Sequence, residues 1–265
     1  MKIKNAIIVH GPGRSGTTLL SNILALHPDL GWISSYVNKY PEKTFLTHAN
    51  KLQNWGILER WNRNKSNFPR PTEAYNFWVH YITDFNNSEI ADIPSEQASR
   101  AIQAVYKVMK NSGKKRFMTK ITGMSRHQFI DVVFENPTVI WIDRNPLSII
   151  TSYHKKKWGY KDKLELFESK PTEELLKEYT EKYITFQNDK RYLDQFNTIN
   201  VAYEDLVADR HTFFRKLCKG AGLVYSPVFQ KTLKSWDIAT GSNEAYKKYF
   251  SLNEQQYITN LLAQS

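Results

Sequence analysis

Gly11-Pro12-Gly13-Arg14-Ser15-Gly16-Thr17-Thr18 is the stretch of this chain whose residue types could do chemistry. Its glycine spacing is that of a nucleotide P-loop, in which backbone N–H groups and a helix N-terminus cradle phosphate oxygens. The lysine that follows the second glycine of such loops in nucleoside triphosphatases is absent, because Thr17 and Thr18 come directly after Gly16. That lysine reaches the β- and γ-phosphates, so its absence argues against hydrolysis of ATP or GTP. A cation stands inside the loop instead, at Arg14. A second cation, Arg144, follows an apolar run at 138–143, where its planar fork of donors suits a phosphate dianion.

A loop of this kind works only between a strand and a helix. Residues 5–9 are apolar and run into Gly11-Pro12-Gly13, which reads as a buried strand entering a tight turn. From Thr17 to Leu26, apolar residues recur near helical spacing until His27-Pro28-Asp29 stops them. Residues 31–95 are aromatic-rich and irregular, with helices expected near 46–60 and 72–86. A third helix is expected at 96–111, closed by Asn111-Ser112-Gly113. Strands are predicted at 117–121, 138–143 and 197–202, and helices at 146–157, 172–194, 207–219 and 252–263. This alternation predicts an α/β fold of P-loop type, three α/β/α layers around a central parallel sheet, with the site beyond the strand carboxyl ends. No repeat, low-complexity tract or linker interrupts the chain, so residues 1–265 read as a single domain with 31–95 as a helical insert.

Bulk properties narrow the context. Thirty-seven Lys and Arg against 26 Asp and Glu give a net charge of +11, which draws anions toward the protein. The basic residues are spread along the chain, as in Lys114-Lys115-Arg116 and Lys155-Lys156-Lys157, and form no arm or tail. Apolar runs such as Ala6-Ile7-Ile8-Val9 are far shorter than the roughly 20 residues that span a bilayer. With no leader pattern before the first strand, the expectation is a soluble cytoplasmic protein. The single cysteine, Cys218, allows no internal disulfide or multi-cysteine zinc site and reads as a buried helix residue. No metal-ligand cluster is evident, and no metal is expected.

The loop Pro12-Gly13-Arg14-Ser15-Gly16-Thr17-Thr18-Leu19-Leu20 resembles the 5′-phosphosulfate loop of the sulfotransferases that use 3′-phosphoadenosine 5′-phosphosulfate (PAPS). The resemblance implies that Gly13, Arg14, Ser15, Gly16, Thr17 and Thr18 bind the 5′-phosphosulfate and that Arg14 neutralises the departing bridging oxygen. Ile142-Asp143-Arg144-Asn145-Pro146, with Ser152 eight positions after Arg144, is similar to the family's second signature, an Arg and a Ser that hold the 3′-phosphate. Val201-Ala202-Tyr203-Glu204-Asp205-Leu206 resembles the segment whose aromatic lies near the adenine, which points to Tyr203. Gly241-Ser242-Asn243-Glu244-Ala245-Tyr246-Lys247 parallels the loop that closes over the 3′-phosphate, but Ala239-Thr240 stand where cytosolic members carry Arg-Lys. Gly241, Ser242, Asn243 and Lys247 are therefore candidate contacts. Met118-Thr119-Lys120-Ile121-Thr122 is similar to the Lys-Thr-His segment of cytosolic sulfotransferases, which makes Lys120 the second catalytic cation.

Transfer to a hydroxyl or amine needs a general base. The family's histidine is replaced here by Thr122, and the glutamate that tyrosylprotein sulfotransferases carry after the first helix is missing from Gly31-Trp32-Ile33-Ser34-Ser35-Tyr36. Glu42, His48, His80 and His127 are the remaining candidates. The aromatic insert suggests an acceptor pocket for a small molecule, lipid or carbohydrate. The sequence leaves the acceptor and the oligomeric state open. Two rival readings are a P-loop kinase, which would need the missing lysine, and a non-enzymatic polyanion or nucleic-acid binder, which no recognition motif supports.

Overall fold

The computed structural model describes residues 1–54, 69–87, 92–235 and 243–264. Five strands form a parallel sheet: β1 (Ile7–Gly11), β2 (Leu30–Trp32), β3 (Arg116–Thr122), β4 (Thr138–Asp143) and β5 (Asn197–Ala202), in the order β2-β3-β1-β4-β5. A separate parallel pairing joins Ile3–Lys4 to Phe134–Glu135. Parallel pairing needs a crossover between neighbours, and the helices that supply it cover both faces of the sheet.

Alternation along the strands decides which layer each residue meets. On one face, Ile8, Phe117, Ile121, Val139 and Trp141 pack against α3 (Tyr75–Tyr81), α4 (Ser95–Ser112) and α5 (His127–Val133), near α2 (Ser35–Lys39). On the other face, Ile7, Val9, Met118, Ile140 and Ile142 meet α1 (Thr17–Leu24). The helices between β4 and β5 are α6 (Pro146–Lys155), α7 (Leu164–Ser169) and α8 (Thr172–Asp189). After β5 come α9 (Tyr203–Ala208), α10 (Arg210–Gly220), α11 (Pro227–Ser235), α12 (Tyr246–Tyr249) and α13 (Leu252–Ala263). A satellite core of Ile149, Ile150, Tyr153, Leu176, Tyr179 and Ile258 ties α6, α8 and α13 together. Cys218 lies buried in α10, where burial pushes its thiol up to about 12.

The predicted three-layer α/β/α architecture is the observed one, and its differences from the sequence reading are local. The first strand extends through Gly11 instead of ending near residue 9. The insert was expected to begin at residue 31, but Leu30–Trp32 form the sheet's edge strand, paired in register with Arg116–Met118. Three residues are too few to show a period. The expected helix near 46–60 is a 3-10 helix, Thr44–Asn54, over its described part. Several of the insert's aromatics fill the core: Phe77, Trp78 and Phe85 are buried, Phe77 packs edge-on against Trp78, and Trp78 meets Phe117, Phe129 and Phe134 edge-on. Of the others, Trp55, Trp61 and Phe68 lie outside the described residues.

Candidate active site

Because all five strands run in parallel, the ends of β1, β3, β4 and β5 deliver the glycine loop, Lys120, Arg144 and Tyr203 to the same edge of the sheet. The registers fix their heights. Val9 pairs with Lys120, Gly11 with Thr122, and Asp143 with Ala202.

The loop backbone alternates in hand. Arg14 has φ 70° and Gly16 has φ 109°, and α1 starts immediately afterward with no side chain capping it. A non-glycine residue with positive φ is a strained conformation found preferentially at binding sites. Gly16 must be glycine for a second reason, since a Cβ there would lie 2.4 Å from the Tyr203 ring. Gly13 is covered in the same way by Trp158, 2.7 Å from where its Cβ would stand. Ser15 Oγ is buried and has no hydrogen-bond partner among the described residues. A buried hydroxyl without a partner at the mouth of a bare helix N-terminus is the arrangement expected of a site that binds an anion.

The two predicted anion grips meet. Arg14 donates from Nε to Ser152 Oγ at 2.8 Å, and Arg144 Nη1 lies 3.5 Å from the carbonyl oxygen of Arg14. The Arg144 guanidinium also stacks on Tyr203, 4.5 Å from the ring centroid. Ser152 faces this site because Asn145, which caps α6 by accepting from the N–H of Ser148, and Pro146 at the first turn set the helix direction. Burial works against the charge on Arg144, while Tyr203 and Glu204 work in its favour.

Lys120 is buried on the α1 face of β3, where it donates to Thr18 Oγ1 at 3.0 Å and pairs with Glu73 Oε1 at 3.3 Å. Burial holds its ammonium below the usual lysine range, and the Glu73 carboxylate opposes that shift. Glu73 was not among the residues read from sequence. Its segment is fixed by Thr72 N–H donating to Ile33 O at 3.4 Å and Ser35 N–H donating to Arg70 O at 3.0 Å. Glu73 thus reaches the edge where a glutamate after the first helix was sought, from forty residues farther along the chain. Only knowledge of the Ser34 to Pro71 bridge would have revealed it.

Three of the four base candidates make contacts of their own. Glu42 pairs with His80 at 3.9 Å, and His80 also packs edge-on against Tyr81. His127 stacks on Tyr192 and contacts Ser125 Oγ, and His48 is exposed. Asn243 reaches Arg144, whereas Lys247 is exposed and pairs with Glu244. Gly241 and Ser242 lie outside the described residues. Among the described residues, no group of three or more His, Cys, Asp or Glu is arranged to hold a metal ion. No helix there is long and apolar enough to cross a membrane. A groove of about 820 Å³ lies at the opposite edge of the sheet, lined by Asn5, Arg116, Pro137 and Asn197, away from all of this chemistry.

A family model described as "Sulfotransferase family" matches residues 6–227. The chain belongs to the sulfotransferase family. It is an enzyme of that type and transfers sulfuryl groups. Solved structures agree on the fold. Sulfotransferase STF9 from Mycobacterium avium superposes with a TM-score of 0.65 at 14% identity, covering 100% of this chain and 78% of that one. The sulfotransferase domain from the curacin biosynthetic pathway gives 0.57 at 15% identity, covering 99% of each chain. The sulfotransferase domain of the Synechococcus PCC 7002 olefin synthase gives 0.54 at 14%, covering 99% and 96%. No curated protein sequence matches the chain. Family membership removes the kinase and polyanion-binder readings of the glycine loop.

Proposed function

We propose that this sulfotransferase uses PAPS as donor and a hydroxyl or amine acceptor. The observation that carries the reading is the Arg14 to Ser152 hydrogen bond, which joins two phosphate-type motifs 138 residues apart into one site. The buried Ser15 hydroxyl, the glycine cradle under Tyr203 and the guanidinium on the Tyr203 face all fit a phosphorylated adenine nucleotide. PAPS would supply the sulfuryl group, activated by its mixed phosphoric–sulfuric anhydride linkage.

In this reading the protein's own groups divide the work by position. The N–H groups opening α1 and the hydroxyls of Ser15, Thr17 and Thr18 hold the 5′ end, with Gly13 and Gly16 letting the backbone approach. Arg144 and Ser152 hold the 3′-phosphate, and Tyr203 lies beside the base. Arg14 and Lys120 place positive charge where negative charge grows in an in-line transfer, which is the largest effect fixed groups contribute. Lys120 does so from a buried position, where the same charge is worth more than in water. Glu73, held beside Lys120, is the carboxylate placed to take the acceptor's proton. Gly241, Ser242 and Lys247 remain candidate loop contacts. The acceptor is a small molecule, lipid or carbohydrate.

Calorimetry tests the donor. 3′-Phosphoadenosine 5′-phosphate (PAP) should bind in preference to ATP with Mg²⁺, and Arg144→Ala should abolish that preference. Equal or tighter binding of ATP would defeat the reading.

A further inference from the structure

Asn243 touches Arg144 from the C-terminal part of the chain, and three of its polar groups are engaged. Its side-chain oxygen accepts from Arg144 Nε at 2.7 Å, and its amide nitrogen donates to Glu204 Oε1 at 3.1 Å. Its backbone oxygen accepts from Ser148 Oγ at 2.5 Å. The two side-chain partners make opposite demands. A guanidinium can only donate and a carboxylate can only accept, so a single orientation of the amide satisfies both. Glu204 thereby decides which end of Asn243 faces Arg144. Glu204 is itself held, since Oε1 also accepts from the backbone N–H of Asn145 at 3.0 Å.

These bonds close a ring. Arg144 leads to Asn243, Asn243 to Glu204, Glu204 to the Asn145 amide, and the Asn145 peptide back to Arg144. Tyr203, the residue before Glu204, supports the guanidinium plane from its face. Two consecutive residues of α9 and one residue far along the chain thus act together on one guanidinium.

We propose that Glu204 and Asn243 are positioning residues that aim Arg144, and that they set how strongly the enzyme distinguishes nucleotides carrying a 3′-phosphate from those lacking one. The proposal rests on the assignment of Arg144 to the 3′-phosphate. Neither residue contacts the ligand in this role; both act through the guanidinium. The carboxylate of Glu204 is useful here as an acceptor, so a carboxamide at 204 preserves most of the function while a methyl group does not.

The test is calorimetric titration of PAP and of adenosine 5′-monophosphate into the full chain and its variants, with thermal unfolding recorded for each. Asn243→Ala and Glu204→Ala should weaken PAP binding about tenfold while changing adenosine 5′-monophosphate by less than about twofold, the size expected for losing one charge-assisted hydrogen bond. Glu204→Gln should retain most of the PAP preference. Asn243→Asp, of nearly unchanged shape, should lose the preference as the alanine variant does, because its carboxylate repels Glu204 and competes for Arg144. Arg144→Ala separates the two levels of the argument. If that variant keeps the PAP preference, the 3′-phosphate assignment fails and this proposal with it. If it loses the preference while the folded Asn243 and Glu204 variants keep theirs, or weaken both ligands equally, the positioning role alone is overturned.

Discussion

Lys120 Nζ stands 3.0 Å from Thr18 Oγ1 and 3.3 Å from Glu73 Oε1, so one buried ammonium joins β3, the first turn of α1 and the segment before α3. A charge in that position is aligned before substrate arrives and needs no reorganisation during the reaction. Replacing it with an isosteric apolar side chain, Lys120→Met, should reduce the rate of PAP formation from PAPS about 10²- to 10³-fold while PAP affinity falls much less. Equal losses in rate and in PAP affinity would show that Lys120 only binds.

The same pair predicts a pH effect. Burial lowers the Lys120 pKa from the ordinary 10.5, and the Glu73 carboxylate is the leading influence that raises it again. The ammonium is therefore lost at lower pH than that of a surface lysine, and the alkaline limb of the rate profile should fall earlier. Removing the opposing carboxylate in Glu73→Gln should move that limb to still lower pH, besides slowing the reaction. A limb that stays in place, or moves upward, contradicts the coupling.

Gly16 carries the third prediction. With φ 109° and the Tyr203 ring 2.4 Å from any added Cβ, Gly16→Ala combines backbone strain of roughly 1–2 kcal/mol with a clash against a buried ring. Binding of PAP should weaken at least tenfold. Adding Tyr203→Ala relieves the clash without relieving the strain, so the double variant should recover only part of the stability lost in Gly16→Ala, as read by thermal unfolding.

A fourth prediction concerns stability alone. His10, wholly buried on β1 and stacked against Trp141, is pushed down from 6.5 to about 3 by burial, with the charge on Arg126 adding to the effect. Between those two values the unfolded chain binds a proton that the folded chain refuses, so stability falls as pH drops. This residue contributes at most about 1.4 kcal/mol per pH unit in that window. Urea unfolding of His10→Phe should show a shallower loss of stability from pH 6.5 to pH 4 than the parent. The buried His27, also pushed down by burial, leaves a residual slope.

What was legible in the sequence follows from how local each signal is. The glycine loop announces itself because strand, turn and helix are contiguous, and Ser152 lies at a fixed distance from Arg144 along one helix. Both motifs that meet at the Arg14 to Ser152 hydrogen bond could therefore be picked out without a structure. Glu73 and Glu204 could not be assigned roles, because one depends on a single bridge between Ser34 and Pro71 and the other on a contact with Asn243, thirty-nine positions away. The proposed base was hidden for the same reason. The sequence offers a carboxylate only by its place along the chain, whereas the fold brings Glu73 against Lys120 in space. Composition alone does not separate pocket from core in the insert, where Phe77 and Trp78 are fully buried.

The ring through Asn243 also orders events during synthesis. A nascent chain that has emerged as far as β5 carries every strand of the sheet, the glycine loop and both arginines. It still lacks the amide whose oxygen accepts from Arg144 Nε. Translation must proceed some forty residues beyond that last strand before the chain contains Asn243, so the ring around Arg144 is a tertiary contact that cannot form when the sheet's own strands first become available.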